Sequence, residues 1–169
     1  MLALFWLWMG AVYHLAFFRT INPAAVAFGV AFILQGALFL WYGVRRQRLR
    51  FSVTGDAWGA AGVALVAYAL IAYPLLGIAW GHVYPSAPTF GLPCPTTIFT
   101  LGVLLWAVRP VPWVVLAIPL GWAAVGTSAA TQLGVREDFG LAVSALVAAG
   151  LTAQDRLARR AGRLTPARR

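Results

Sequence analysis

The sequence carries very little charge. Only 10% of its 169 residues are charged, whereas about a quarter of a soluble domain is. There is no lysine, and only four acidic residues accompany thirteen arginines. A surface that faces water cannot be built from so few charges, so most of the surface of the folded chain must face lipid. This excludes a soluble globular domain.

Cysteine and nucleotide-binding motifs are also scarce. A single cysteine excludes an intramolecular disulfide, so the redox compartment cannot be deduced. There is no nucleotide-binding glycine motif and no haem-attachment motif, which argues against transport driven by ATP hydrolysis in this chain. The net charge of +9 does not indicate nucleic acid, because the arginines cluster just outside apolar runs. Membrane orientation and anionic lipid headgroups explain that placement better.

Long apolar runs make up most of the chain. The residues are 62% hydrophobic, and a membrane span needs about 20 mostly apolar residues. The sequence predicts an all-α integral membrane bundle of about six transmembrane helices in a single domain (1–154), with a structured Pro/Gly-rich outer loop. The predicted spans are 2–18, 24–44, 57–79, 95–108, 113–128 and 139–153, and a basic cytoplasmic tail follows at 155–169.

The arginines predict the orientation of the bundle. With the N-terminus inside, eleven of the thirteen arginines fall on the inner side. Because positive residues favour the cytoplasmic side, both termini are predicted to be cytoplasmic. The eleven are Arg45, Arg46, Arg48, Arg50, Arg109, Arg156, Arg159, Arg160, Arg163, Arg168 and Arg169, and the two on the outer side are Arg19 and Arg136.

The stretch 81–97, GHVYPSAPTFGLPCPTT, lies on the predicted outer side. It holds the only cysteine, one of two histidines and four of ten prolines. It is too apolar for a freely solvated loop, and its prolines and glycines predict a rigid segment packed on the bundle. The span 95–108 would cover only ~21 Å of a hydrocarbon core of ~30 Å. We therefore expect Cys94 and part of the loop to lie below the outer surface, where the backbone must be buried in protein or line a water-filled cavity. Cys94 is then not freely exposed to water.

Three residues form a candidate metal site. Cys94 begins a helix, where the helix dipole favours a thiolate. His82 is in the same loop, and His14 lies ~7.5 Å from the outer end of the first span. A cysteine with two histidines would suit copper, zinc or mercury. The alternatives are that Cys94 is a small buried hydrophobic residue and that each histidine bonds only to neighbouring backbone or helices.

Four further polar residues are candidates for a substrate pathway. They are Gln35, Tyr84, Thr96 and Thr97. Gln35 in mid-span also fits an interhelical hydrogen bond, and the threonines can bond to carbonyls one turn earlier in their own helix.

Three stretches resemble a known family. These are YHLAFFRTINPAA (13–25), QGALFLW (35–41) and GHVYPSAPTFGLPCPTTIFTLG (81–102). Together they resemble a bacterial family of small multi-pass membrane proteins of unknown function. The resemblance implies a multi-pass protein of the bacterial inner membrane but no activity. It also implies that a further span can precede the segment that begins here at Met1.

The leading functional prediction is a small transporter, channel or carrier for a metal ion or small solute. One alternative is a membrane-embedded thiol-dependent enzyme, although Glu137 and Asp138 are expected in a different loop, which leaves Cys94 without an acid partner. Another is a structural subunit of a membrane complex. The lipid bilayer is the expected partner, and a homo-oligomer is compatible with a bundle this narrow.

Overall fold

The fold is a bundle of helices. In the computed structural model the described residues are 1–83 and 87–164, with side chains described up to Gly162. These residues contain six main helices. Consecutive α-helical and π-helical segments, with the 3₁₀ turn Phe18–Thr20, are counted as one helix, and the 3₁₀ turn Arg136–Asp138 is counted separately. The six helices are α1 (Leu2–Thr20), α2 (Ala25–Arg45), α3 (Ala57–Ala79), α4 (Pro93–Leu105), α5 (Val114–Leu133) and α6 (Phe139–Leu164).

Four of the helices, α1, α2, α3 and α5, are long and apolar enough to cross a membrane. The prediction of an all-helical membrane bundle is therefore confirmed, with four such helices where six spans were expected. Helices α4 and α6 do not belong to these four. Helix α4 is short, with only 13 residues. Helix α6 does not end before Asp155 but continues to Leu164, into the arginine-rich segment that was predicted as a tail.

Successive helices run in opposite directions, so the connections gather at two ends of the bundle. The end that holds residues 80–83, 87–92 and 134–138 is called the loop end. The opposite end, which holds residues 46–56 and 106–113, is called the arginine end. These two names locate the sites described below.

Helix α4 lies in the middle of the bundle. Twelve of its thirteen residues are buried, and it packs mainly against α3 and α6. A Cβ on Gly102 of α4 would lie 3.0 Å from the carbonyl oxygen of Gly62 on α3, so the two backbones are in near contact. Because α4 is enclosed by protein, it has no need to match the thickness of the hydrocarbon core.

Helices α1 and α2 form a second close pair. A Cβ on Gly10 would lie 2.8 Å from the carbonyl oxygen of Gly29. From Met9 to Phe17, α1 is π-helical. Trp6 joins this pair to α4 by donating a hydrogen bond from its indole nitrogen to Thr100 Oγ1 over 3.0 Å. The sequence thus places a buried polar contact at the centre of an apolar bundle.

A buried polar cluster at the loop end

Two acidic side chains are buried at the loop end. Glu137 and Asp138 lie in the 3₁₀ turn Arg136–Asp138, which joins α5 to α6. Gly134, with φ of 72°, ends α5 in the left-handed conformation that glycine adopts without strain. Glu137 is fully buried and Asp138 is 9% exposed. A short turn between two helices therefore delivers both carboxyl groups into the bundle.

Glu137 pairs with His82. The distance from His82 Nδ1 to Glu137 Oε1 is 2.6 Å, and the His82 side chain is 28% exposed. The second carboxyl oxygen, Oε2, is buried and has no hydrogen-bond partner in the described part of the chain. Gly77 of α3 makes room for the pair, because a Cβ there would lie 3.2 Å from Oε1.

Asp138 has its own set of partners. The Tyr73 hydroxyl donates a hydrogen bond to Asp138 Oδ1 over 2.5 Å, and the Cys94 thiol is a second hydrogen-bond partner of the carboxyl. Burial raises the pKa of Asp138 above its usual range, and the neighbouring Glu137 raises it further. The hydrogen bonds from Tyr73 and Cys94 oppose this rise in pKa, as does the charge of His82.

A second tyrosine of α3 fixes the backbone of the turn. The Tyr68 hydroxyl donates to the carbonyl oxygen of Glu137 over 2.7 Å. Its ring lies where a side chain on Gly140 would be, so the first turn of α6 needs glycine there. Tyr68 begins a π-helical segment, Tyr68–Ala72, directly before Tyr73. Such segments are frequent at functional sites.

Cys94 is partly buried. Its thiol lies beside the Asp138 carboxyl and Trp122, and a Cβ on Gly126 would lie 3.5 Å from its sulfur. A neighbouring negative charge opposes formation of a thiolate, so the expectation drawn from the start of a helix is not supported. The expectation that Cys94 has no acid partner is wrong, because the turn before α6 packs against the start of α4.

We call His82, Glu137, Asp138, Tyr73 and Cys94 the loop-end cluster. His14, the third predicted metal ligand, lies outside it. His14 is fully buried, and neither ring nitrogen has a partner among the described residues. Its ring centroid lies 4.7 Å from that of Phe32 and 5.3 Å from that of Trp122. His14 therefore sits among aromatic rings, with Trp122 contacting both it and Cys94.

The predicted metal set is not assembled. Within residues 1–83 and 87–164, no three histidine, cysteine, aspartate or glutamate residues lie close enough together to hold a metal ion. His82 faces Glu137, Cys94 faces Asp138, and His14 faces neither. His82 and Cys94 lie in the same region, but each contacts a carboxyl group of the α5–α6 turn, His82 that of Glu137 and Cys94 that of Asp138.

Three of the four pathway candidates lie in the described residues, Gln35 on α2 and the two threonines on α4. Gln35 is fully buried and donates to the carbonyl oxygen of Val115 over 3.0 Å. Thr96 accepts a hydrogen bond from the Gly91 backbone over 3.0 Å. Thr97, one turn below Cys94, is fully buried and its hydroxyl has no partner in the described part of the chain. Tyr84 lies outside the described residues.

Sequence reasoning missed Glu137, Asp138 and Tyr73. A signal was present, since the chain has only four acidic residues and two of them stand together at the start of a predicted span. Ionisable groups at such a position are functional candidates by default. Tyr73 carried no signal, because nothing local to α3 indicates a partner 65 residues away.

One comparison with known proteins gives a match. The model described as "Family of unknown function (DUF6064)" matches residues 1–163, which is nearly the whole chain. No curated protein and no solved structure matches significantly.

Proposed function

The chain belongs to the family of unknown function DUF6064, and we propose that it is a membrane carrier or channel for a small cationic solute. The loop-end cluster is the proposed binding site. This proposal keeps the transport function predicted from the sequence and moves its site from a cysteine and two histidines to a pair of carboxyl groups.

One observation carries the proposal. Glu137 is fully buried, one of its oxygens faces His82, and the other has no partner among the described residues. A buried carboxyl oxygen without a partner is costly, and in membrane proteins such groups mark pathways for ions and substrates. A cation with hydrogen-bond donors, or a metal ion, would satisfy that oxygen.

The surroundings of Glu137 favour a positive ligand. Asp138 adds a second carboxyl group, and Tyr73 and Cys94 already satisfy part of its hydrogen-bonding capacity. The His82 side chain is 28% exposed, so a ligand that enters from the loop end can reach the His82–Glu137 pair through His82. The arginine distribution supports an arrangement in which this entrance faces outward and both termini are cytoplasmic.

A metal ion is one possible cargo within this class. It would require His82, Cys94 and the carboxyl groups to approach one another more closely than they do here, because no such group is assembled in the described chain. The thiol enzyme is less well supported than the carrier, since the negative charge of the Asp138 carboxylate beside Cys94 opposes formation of the thiolate that would act as the nucleophile.

The first test is a ligand screen on the purified protein in detergent. The probes are chlorides of sodium, potassium, manganese, zinc and methylammonium, and the readout is the temperature of thermal unfolding. We expect at least one cation to stabilise the wild type and to stabilise Glu137→Gln far less. Asp155→Asn removes an equal charge from α6 and serves as the matched control, which should respond as the wild type does.

The second test is uptake of the stabilising cation into proteoliposomes. We expect wild type and Asp155→Asn to take it up faster than empty liposomes do, and Glu137→Gln to lose most of that uptake. The proposal is wrong if no probe stabilises the wild type, or if Glu137→Gln binds and transports as the wild type does.

A further inference from the structure

We infer that a groove at the arginine end binds the phosphate of an anionic phospholipid headgroup. The groove has a volume of about 440 Å³. Three arginines, Arg48, Arg50 and Arg109, line it together with Gln47, Val108, Pro110 and Pro112. This site is at the opposite end of the bundle from the loop-end cluster and does not depend on the proposed transport.

The backbone fixes the first two arginines. The carbonyl oxygen of Tyr42 accepts hydrogen bonds from the backbone nitrogens of Arg48 (2.8 Å) and Leu49 (3.3 Å). Leu49 is buried, while Arg48 and Arg50 on either side of it are exposed. The buried leucine thus anchors this segment, while the arginine on either side of it is exposed.

A second set of backbone bonds brings Arg109 to the same place. The carbonyl oxygen of Arg50 accepts a hydrogen bond from Val108 over 2.7 Å, and that of Trp106 accepts one from Ser52 over 2.8 Å. The two connections, 46–56 and 106–113, therefore lie side by side. The groove forms between them, with arginines from both.

The positive charge in the groove is only partly neutralised. Arg109 donates to Asp56 over 3.0 Å and lies 5.0 Å above the ring of Trp58. Neither Arg48 nor Arg50 forms an ion pair with any acidic residue that the structure describes. Guanidinium groups bind phosphate through paired N–H donors, so two uncompensated arginines beside one groove are suited to hold a phosphate.

The rim of the groove favours a lipid over a free phosphate. Val108, which lines the groove, is 55% exposed, and Phe51 and Val53, which follow Arg50 in the same connection, are 46% and 60% exposed. In a protein that spans a membrane, exposed apolar side chains next to arginines lie at the boundary between hydrocarbon and headgroups. A phospholipid would place its phosphate on the guanidinium groups and its glycerol and acyl carbons on these side chains. Basic pockets of this kind hold anionic headgroups.

The test compares lipids on the full chain in nanodiscs. The probes are phosphatidylglycerol and phosphatidylcholine, and the readouts are the thermal unfolding temperature and the number of phosphatidylglycerol molecules retained in native mass spectrometry. The variant is Arg48→Gln/Arg50→Gln. Its matched control is Arg159→Gln/Arg160→Gln, which removes the same charge from the exposed part of α6 outside the groove.

We expect phosphatidylglycerol to raise the unfolding temperature of the wild type and of the α6 control, and to be retained by both. In Arg48→Gln/Arg50→Gln the shift and the retention should fall at least threefold. If that variant does not fold in phosphatidylcholine, Arg48→Lys/Arg50→Lys replaces it and should show a smaller loss, because lysine keeps the charge but not the paired donors.

Two results would overturn the inference. An equal loss in both double variants would mean that diffuse charge, and not the groove, attracts the lipid. Stabilisation of the wild type in phosphatidylcholine by millimolar inorganic phosphate, to the same extent as by phosphatidylglycerol, would mean that the groove takes free phosphate and not a lipid.

Discussion

The side chain of Gln35 on α2 bonds to the carbonyl oxygen of Val115 on α5, over 3.0 Å. Four residues after Val115 stands Pro119, inside the helix. Proline has no backbone N–H, so Val115 cannot receive the helical hydrogen bond that it would otherwise accept. Gln35 supplies the missing donor, so this buried amide has a structural partner in the bundle.

The role of Gln35 predicts a coupling between it and Pro119. Replacing Gln35 by Met should destabilise the wild type more than it destabilises the Pro119→Ala variant. In that variant, residue 119 has a backbone N–H that can itself donate to the carbonyl oxygen of Val115. The expected coupling is about 1 kcal/mol. A double-mutant cycle on unfolding in mixed detergent measures it, and the cycle is needed because Gln35 Oε1 has no partner among the described residues. Strict additivity of the two substitutions would contradict this role.

The contact of α3 with α4 predicts a steric effect at Gly62. A Cβ on Gly62 would lie 2.8 Å from the carbonyl oxygen of Gly102, so Gly62→Ala must push the two helices apart. We expect it to lower the free energy of unfolding by about 1–3 kcal/mol. The control is Gly121→Ala in α5, where no described atom lies within 4 Å of the added carbon. That substitution should be neutral or stabilising by up to ~1 kcal/mol. Equal effects at both sites would exclude the close α3–α4 contact.

The helical membrane bundle could be predicted because apolar runs of about 20 residues are a local property of the sequence. The central position of α4 could not. Side chains that face lipid and side chains that face other helices are equally apolar, so hydropathy does not separate them. The shortness of 95–108 was a usable signal, but it led only to the expectation that Cys94 and part of the loop lie below the outer surface. The enclosure of α4 itself by protein was not predicted.

The loop-end cluster was only half predictable. His82 and Cys94 stood out as rare residue types in one stretch. Their actual partners, Glu137 and Asp138, lie more than 40 residues further along the chain, and only the packing of the α5–α6 turn on α3 and α4 brings them there. His14 lies apart from them, against Phe32 and Trp122. The sequence indicated which end of the bundle His14 is near, but not which face of α1 points toward the cluster.

The two aspartates with shifted pKa values predict opposite effects of pH on stability. Burial and the charge of Glu137 raise the pKa of Asp138 in the folded state, so the folded state binds more protons than the unfolded state above about pH 4. The stability that protonated Asp138 contributes is therefore lost as pH rises through its folded-state pKa. The titratable groups that face it are Tyr13, Tyr68, Tyr73, His82, Cys94 and Glu137.

We expect Asp138→Asn to flatten the fall in unfolding temperature as pH rises from about 4 toward neutrality.

Asp56 gives the reverse case. The Thr54 hydroxyl and the Gly59 backbone hold the pKa of this helix-capping carboxyl below its usual range. Its stabilisation is present above about pH 4 and lost as pH falls through the folded-state pKa. Asp56→Asn should therefore reduce the fall in unfolding temperature as pH drops below about 4, and leave the change from pH 4 toward neutrality as it is in the wild type. If both variants changed the pH dependence on the same side of pH 4, the opposite pKa shifts of Asp56 and Asp138 would be contradicted.

The contact between Cys94 and Asp138 predicts slow alkylation of the thiol. Cys94 is partly buried, and a carboxylate beside it opposes the thiolate, which is the form that reacts. N-ethylmaleimide should label the native protein in detergent near neutral pH at least about tenfold more slowly than the protein unfolded in SDS.

Asp138→Asn should be labelled several times faster than the wild type, because it removes the negative charge and leaves a side chain of similar shape. Asp155→Asn, on the far part of α6, controls for the loss of charge and should label as the wild type does. Equal labelling rates for wild type and Asp138→Asn would mean that burial alone protects the thiol, and that the charge of the Asp138 carboxyl group does not affect the reactivity of Cys94.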